Sequence, residues 1–379
     1  MADILPDDIV RNILAWLPAK PLVRFRCVSK HWNHMLTEPN FMSFRSRKSI
    51  ILPLSEALHL IDDNVPTDDM THSMLKRCHP DKNLWDKYKV KVIGTFNGIV
   101  LLRYTHALIL YNPFTGASTK LPCPPYRDCR RPGYGFGYGA TPDDLKIVRL
   151  KQKSDICDVC SFKNSSWSSW STIQLNMKCI TFENYVGTFA NGFLHWVAYN
   201  NPQLLIVLNV KDMVLSEMHL PFAKSFIRAH LGTIDGCLCS LNKVNANKFE
   251  LWVLKEHGVE KSWLPKCSFT CKPDHISVCI LASGRILMKN PSELIIYDYL
   301  ENTYEKLNIS SNYEYRIKMY AVEYVESLAY GVIGFSGVGS WTADMREIGD
   351  DVGMPYWLAW LSSTRGCKQI VLTDNGQVA

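Results

Sequence analysis

The chain has 379 residues, 47% hydrophobic and 21% charged, with a formal net charge of +6. That length and apolar content fit a small module plus one large domain, or two of medium size, and exclude a disordered tail. The charge excess is too small and too scattered to argue for nucleic acid, and its densest groups, Arg45/Arg47/Lys48 and Arg127/Arg130/Arg131, read as solvated surface.

At the N-terminus, Pro6 can open a helix with Asp7 and Asp8 in its first turn, where carboxylates meet unpaired N–H groups and the positive end of the dipole. Ile9, Val10, Ile13, Leu14 and Leu17 then recur as one helical stripe. Pro18 and Pro21 end this helix and start another, largely apolar over Leu22, Val23 and Phe25 to Val28. Ser29 can cap a third helix carrying Trp32, Met35 and Leu36. So short a segment cannot bury all of this apolar surface in itself, which marks it as a docking module.

The ordered string LPDDIVRNILAWLPAKPLVRFRCVSKHW resembles the F-box in its plant form, over roughly 40 residues. The resemblance implies binding to a Skp-type adaptor and, through it, to cullin and RING subunits. It implies an adaptor face drawn from Leu5, Pro6, Ile9, Ile13, Leu14, Leu17, Pro18, Leu22, Val23 and Val28, with Arg11 and Lys20 on its rim. Phe25, Cys27 and Trp32 are expected to hold the three helices together.

Beyond this module, taken as residues 1–45, the stretch 46–89 reads as a linker with short strands at Ile50 to Leu54 and Leu58 to Ile61 and a polar loop. From Val90 the texture becomes short apolar runs between Gly, Asn, Asp and Pro, as in an all-β domain. A repeat is visible: GTFNGIVLL with LILYNPFTGASTKLP, GTFANGFLHWV with LIVLNVKDMVLSEMHLP, GTIDGCLCSL with FELWVLKEHGVEKSWLP, and a weaker ASGRILMK with LIIYDYLENTYEKLNI. Gly98, Gly192, Gly236 and Gly284 are 94, 44 and 48 positions apart, and a degenerate copy at YGFGYGATPDDLKIVRL fills the long interval. The unit has the length of a four-stranded propeller blade.

The expected fold is thus α+β multidomain, a three-helix module before a propeller-like domain over 90–335. About six blades are expected, the sixth made by joining Ile317 to Val325, and Gly331 to Phe335, with the early strands. An open stack of sheets is the alternative. The region 336–379 is a C-terminal extension without the repeat.

These phrases resemble the F-box-associated domain of plant F-box proteins, carried by Gly98 with Tyr111 to Pro113, the GFGY segment, the Gly192 phrase and Gly236-CLC. Gly139 and Ala140 stand where that pattern has Asp-Pro. The resemblance implies a receptor of a Skp-cullin-F-box ubiquitin ligase that holds a target protein; in one subset of the family the target is a secreted ribonuclease, and no residue here selects that subset. Loops at one face nominate Pro122 to Arg131, Tyr199 to Gln203, Asn242 to Asn247 and Asn312 to Arg316. Their contact candidates are Tyr126, Arg127, Arg130, Arg131, Tyr199, Asn200, Asn245, Tyr313 and Tyr315.

Other signals weigh against chemistry. Cys157-x-x-Cys160 lacks a second pair, and Pro273 breaks the helix that would align Cys267, Cys271, His275 and Cys279, so no metal and no cofactor is expected. The thirteen cysteines are an odd count that fits reduced, buried thiols. Gly133, Gly135, Gly137 and Gly139 are followed by another strand instead of a phosphate-binding helix, so they read as points of close approach between blades. Gly334-Phe-Ser336-Gly337 departs from the nucleophile elbow, and His195 with Trp196 reads first as core and second as a ligand face. A propeller enzyme with a central-channel site stays an alternative, as does an adaptor binder without a role in degradation, but no catalytic residue is nominated. No apolar run approaches the ~18 residues that span a bilayer. Acids at Asp3, Asp7 and Asp8 stand in place of a basic leader. The expected location is cytoplasmic or nuclear.

Overall fold

The structure is a computed structural model that describes residues 6–17, 22, 24–38, 41, 48–53, 58–62, 76–78, 90–96, 98–104, 107–113, 117–125, 132–141, 144–163, 166–176, 181–182, 185–198, 204–221, 228–272, 274–281, 284–290, 293–307 and 321–325. Helices α1 (Asp7–Trp16) and α2 (Lys30–Thr37) flank a helical stretch containing Leu22, Arg24 and Phe25. Strands follow in chain order: β1 (Lys48–Pro53), β2 (Leu58–Asp62), β3 (Lys76–Cys78), β4 (Val90–Phe96), β5 (Ile99–Tyr104), β6 (Ala107–Tyr111) and β7 (Ser118–Lys120). Next come β8 (Gly133–Tyr138), β9 (Leu145–Leu150), β10 (Ile156–Lys163), β11 (Ser166–Trp167), β12 (Ser171–Gln174), β13 (Thr188–Ala190), β14 (Phe193–Val197), β15 (Leu204–Asn209) and β16 (Val214–His219). The last are β17 (Arg228–Ile234), β18 (Cys237–Lys243), β19 (Lys248–Leu254), β20 (Trp263–Thr270), β21 (Ile276–Ile280), β22 (Arg285–Lys289), β23 (Leu294–Asp298), β24 (Thr303–Leu307) and β25 (Val322–Val325).

Among the described residues these strands form antiparallel sheets arranged as a propeller. Five are local, β4–β7, β8–β12, β13–β16, β17–β20 and β21–β24, and a composite sheet runs β25-β1-β2-β3. The stretch 46–89, read from sequence as a linker, therefore supplies three strands. The first strands meet in the order β25, β4, β8, β13, β17, β21 and back to β25, which closes a ring in place of an open stack. Closure rests on the register of Ser49 with Tyr324 and Ile51 with Val322, reinforced where Thr95 Oγ1 donates to Glu323 O at 2.6 Å and Tyr324 Oη donates to Gly98 O at 3.2 Å.

Each interface between neighbouring sheets holds one apolar cluster. In β15, Ile206 and Leu208 enter the cluster toward β8–β12, while Leu205 and Val207 enter the one toward β17–β20. Both faces are covered, so the strand reads as a continuous apolar run without alternation. The hairpin turns are set by backbone sterics: Asn191 and Gly192 have φ of 51° and 83°, and Asp235 and Gly236 of 51° and 77°, the two left-handed residues of a type I′ turn.

The alternating glycines behave as the sequence suggests. A Cβ at Gly133 would stand 2.9 Å from Phe182, and at Gly135 or Gly137 it would collide with Leu194 or Phe189 of the next sheet. Gly139 also makes room for a polar tie. A Cβ there would strike Asp144, whose carboxylate pairs with Lys146 Nζ at 3.0 Å while the same ammonium donates to Val210 O at 2.8 Å, tying two sheets.

Gly135→Ala is expected to lower the unfolding free energy by about 1–3 kcal/mol through overpacking. Adding Leu194→Ala should recover part of that loss in urea titrations. Additive losses would show that Leu194 is not what the new methyl meets.

Candidate functional site

Two regions can bind something. The first is on the helical module. Ile9 and Ile13, one turn apart on α1, stay 41% and 51% exposed, Val28 is 51% exposed, and Pro6 is exposed beside them in sequence. The rest of the stripe turns inward. Leu14 and Leu22, 1% and 0% exposed, close a core with Met35, Leu36 and Phe41, against which Val10 and Leu17 pack half-buried. Leu14 and Leu22 are therefore corrected from the docking face to the core. The 100° step between neighbours splits a broad stripe into two flanks, and only packing decides which one is covered.

Phe25 and Trp32 hold the module as expected, edge to face with centroids 5.5 Å apart. Cys27 does not; it is exposed in the turn before α2, a correction to its expected packing role. Ser29 caps α2 by accepting from the Trp32 backbone N–H at 3.0 Å. Two polar ties carried no signal in the sequence, because their partners are more than twenty residues apart: Asp7 Oδ1 with His31 Nε2 at 2.9 Å, and Arg11 Nη2 donating to Glu38 Oε2 at 2.8 Å. Arg11, expected on the rim, is thus engaged within the module, and its guanidinium, with His34, holds the Glu38 carboxyl below the usual range. Leu5, Pro18, Lys20 and Val23 lie outside the described residues.

The second region is one end of the ring. The link from β20 to β21 starts at this end: Arg228 opens β17 opposite Lys243 at the end of β18, and Lys248 opens β19 opposite Thr270 at the end of β20, so β20 ends where β17 begins. Lys243 Nζ, at the end of β18, donates to His275 O of that link at 2.8 Å, which puts the β18–β19 turn at the same end. Tyr134 also pairs in parallel with Val186 just before β13, so these first strands run the same way. By this pattern the strand ends flanking all four nominated loops share one end of the ring.

Of the nominated residues, Asn245 is described and exposed; its Oδ1 accepts from the Lys248 N–H at 2.8 Å and shapes the turn. Tyr126, Arg127, Arg130, Arg131, Tyr199, Asn200, Tyr313 and Tyr315 lie outside the described residues, as do Gly334 to Gly337 and the extension 336–379.

Several other candidates resolve into packing. Cys157 and Cys160 enter different clusters on opposite faces of β10, so they cannot share a ligand, and burial pushes the Cys160 thiol up to about 11. Trp167 and Trp170 pack half-buried against one cluster, and Trp170 Nε1 donates to Pro122 O at 2.9 Å. His195 and Trp196 are both 0% exposed, so they line no ligand face.

His195 is instead an interblade joint. Its Nδ1 meets Thr188 O at 3.1 Å and its Nε2 meets His257 Nε2 at 2.9 Å, while His257 stacks on Phe193 with centroids 3.7 Å apart. Since a carbonyl only accepts, Nδ1 carries the His195 proton and Nε2 accepts from His257. Burial, with His257 adding to it, pushes His195 down to about 3, and burial lowers His257 as well.

The unfolded imidazole binds a proton near pH 6.5 and the folded one does not, so this contribution is complete above about pH 6.5 and is lost as pH falls toward 3. Urea midpoints should therefore drop from about pH 7 to about pH 4.5, and less steeply in His195→Gln; an unchanged slope would assign the loss elsewhere. On the module, Leu14→Ala should cost about 2–5 kcal/mol, read by amide exchange in α1, and Ile13→Ala less than about 0.5 kcal/mol. Equal losses would place Ile13 in the core.

Comparison with known proteins matches residues 3–44 to the F-box domain and residues 56–321 to the F-box associated beta propeller domain. The chain is 30% identical over 305 residues to F-box protein CPR1 of Arabidopsis thaliana, covering 68% of this chain and 71% of that one. It is 25% identical over 323 residues to an F-box/kelch-repeat protein of the same plant, covering 78% and 87%.

Proposed function

The chain belongs to the F-box proteins that carry an F-box associated β-propeller, and on that premise we propose that it is the target-recognition subunit of a Skp-cullin-F-box ubiquitin ligase. The observation that carries this reading is the exposed face that Ile9 and Ile13 make one turn apart on α1, with Val28 also exposed, on a module whose described core closes without them. Burying each such side chain stabilises by about 1.5–3 kcal/mol, so a few anchors offset the cost of association. The adaptor takes that face, and the loop-bearing end of the ring takes a target protein. No bond-making step is assigned to this chain. Its contribution is proximity, which raises the local concentration of target lysines near charged ubiquitin. The place of action in this reading is the cytoplasm or the nucleus.

Co-expression with a Skp-type adaptor tests it. Ile9→Asp/Ile13→Asp should lose about tenfold or more of the co-purified adaptor with no change in propeller melting. Adaptor recovery equal to that of the unmodified chain would overturn the docking face. Cullin-dependent ubiquitin transfer to a captured protein would separate delivery from capture alone.

A further inference from the structure

Each sheet of the ring ends in an outer strand whose far edge has no neighbour in its own sheet: β3, β7, the β11/β12 pair, β16, β20 and β24. Such an edge offers unpaired N–H and C=O groups to any extended chain, and proteins usually blunt it. Most of these edges are blunted. β3 and β7 are three residues long, and the outer strand on β10 is broken into β11 and β12. β20 carries Pro265 at a bulge, where the backbone has no N–H to donate. β16 is closed by its neighbours. Asn176 Nδ2 donates to Leu215 O at 2.8 Å and its Oδ1 accepts from the Leu215 N–H at 3.1 Å, as a passing strand would, and Glu260 Oε1 accepts from the His219 N–H at 2.7 Å.

β24 differs. Its five residues keep an unbroken register with β23, from Asp298 with Thr303 to Leu294 with Leu307. Among the described residues, none of its outward backbone groups meets a hydrogen-bond partner. On one face of the strand Tyr304 stays 51% exposed, with Lys272 Nζ 5.1 Å from its ring centroid. On the other face Glu305 stands opposite Ile296, which packs in the cluster shared with the composite sheet. One oxygen of its carboxylate, Oε2, is buried without a hydrogen-bond partner. Lys306 does not supply one: it alternates to the Tyr304 face and lies 3.6 Å from Glu293. A carboxylate held in this way is costly until a cation reaches it.

We propose that the outer edge of β24 receives an extended segment of the target protein by strand addition, with a Lys or Arg of that segment beside Glu305. This rests on the reading that the ring holds the target, and it extends that contact from the loops onto the rim. Main-chain pairing supplies affinity with little regard to sequence, and the side chains flanking the new strand supply choice. Here those are Glu305, which selects a cation at the neighbouring position, and Tyr304, which packs against the next residue along.

The test uses the full chain with its adaptor and a short labelled peptide of alternating Thr and Lys, followed by fluorescence anisotropy and hydrogen exchange. The peptide should bind although the chain itself carries a net charge of +6, and it should slow exchange in Thr303–Leu307 but not in β16. The same peptide N-methylated at alternate residues cannot pair along an edge and should not bind. Replacing its Lys by Gln should weaken binding about tenfold, and Glu305→Gln should weaken binding of the Lys peptide as much, with melting unchanged. The two changes together should cost no more than either alone, since they remove the same pair. Glu217→Gln, on the closed edge of β16, should leave binding intact. Equal binding of the N-methylated peptide, protection away from β24, or an unaffected Glu305→Gln chain would overturn the inference. So would self-association of the chain that protects the β24 amides, which would assign the edge to a second copy. Should no peptide bind while a captured protein is still ubiquitinated, this inference falls and the receptor reading stands; absence of adaptor binding as well would sink the receptor reading itself.

Discussion

Ring closure by the two ends of the chain is the constraint on which the rest depends. Each sheet exposes two apolar faces that only neighbours can cover, so a row of such sheets leaves a bare face at either end. Pairing of Lys48–Pro53 with Val322–Val325 removes both at once. It also places Ile50 and Leu52 against Leu287 and Ile296 on one side, and Ile51 against Val100 on the other. Every other interface is built from residues close in sequence. This one joins positions more than 250 residues apart, and in a loop that long the entropy of closure grows only slowly with length.

Close approach between sheets is bought with side chains that are missing. Gly133, Gly135 and Gly137 let Phe182, Leu194 and Phe189 lie against the β8 backbone, while the intervening Tyr134 and Phe136 fill the cluster on the other side. One carboxylate buried in this packing is matched twice: Asp158, 0% exposed, accepts from Arg149 at 3.2 Å and from Thr172 at 2.9 Å. The same logic makes His195 a joint between sheets, and its neutral form is the one that fits its partners.

The helical module solves the opposite problem. Among the described residues its core is five buried side chains, which leaves other apolar residues of the helices uncovered. Ile9, Ile13 and Val28 are left in water, a cost that a partner can remove.

Much of this was legible in one dimension. The F-box string, the Asn-Gly and Asp-Gly turns, the blade-length repeat, the joining of early and late strands and the packing role of the alternating glycines all follow from local sterics and periodicity, which act over a few residues and leave their mark in composition. What stayed hidden depends on partners distant in sequence. Leu14 and Ile13 are adjacent and equally apolar, and only the packing of α2 and Leu22 buries one and exposes the other. His195 gave no sign of His257. The sequence alone determined which elements form and to which family they belong, because those rest on local propensity and order. Tertiary structure alone decided which faces are free and which charges meet, because exposure and electrostatics are properties of neighbours in space.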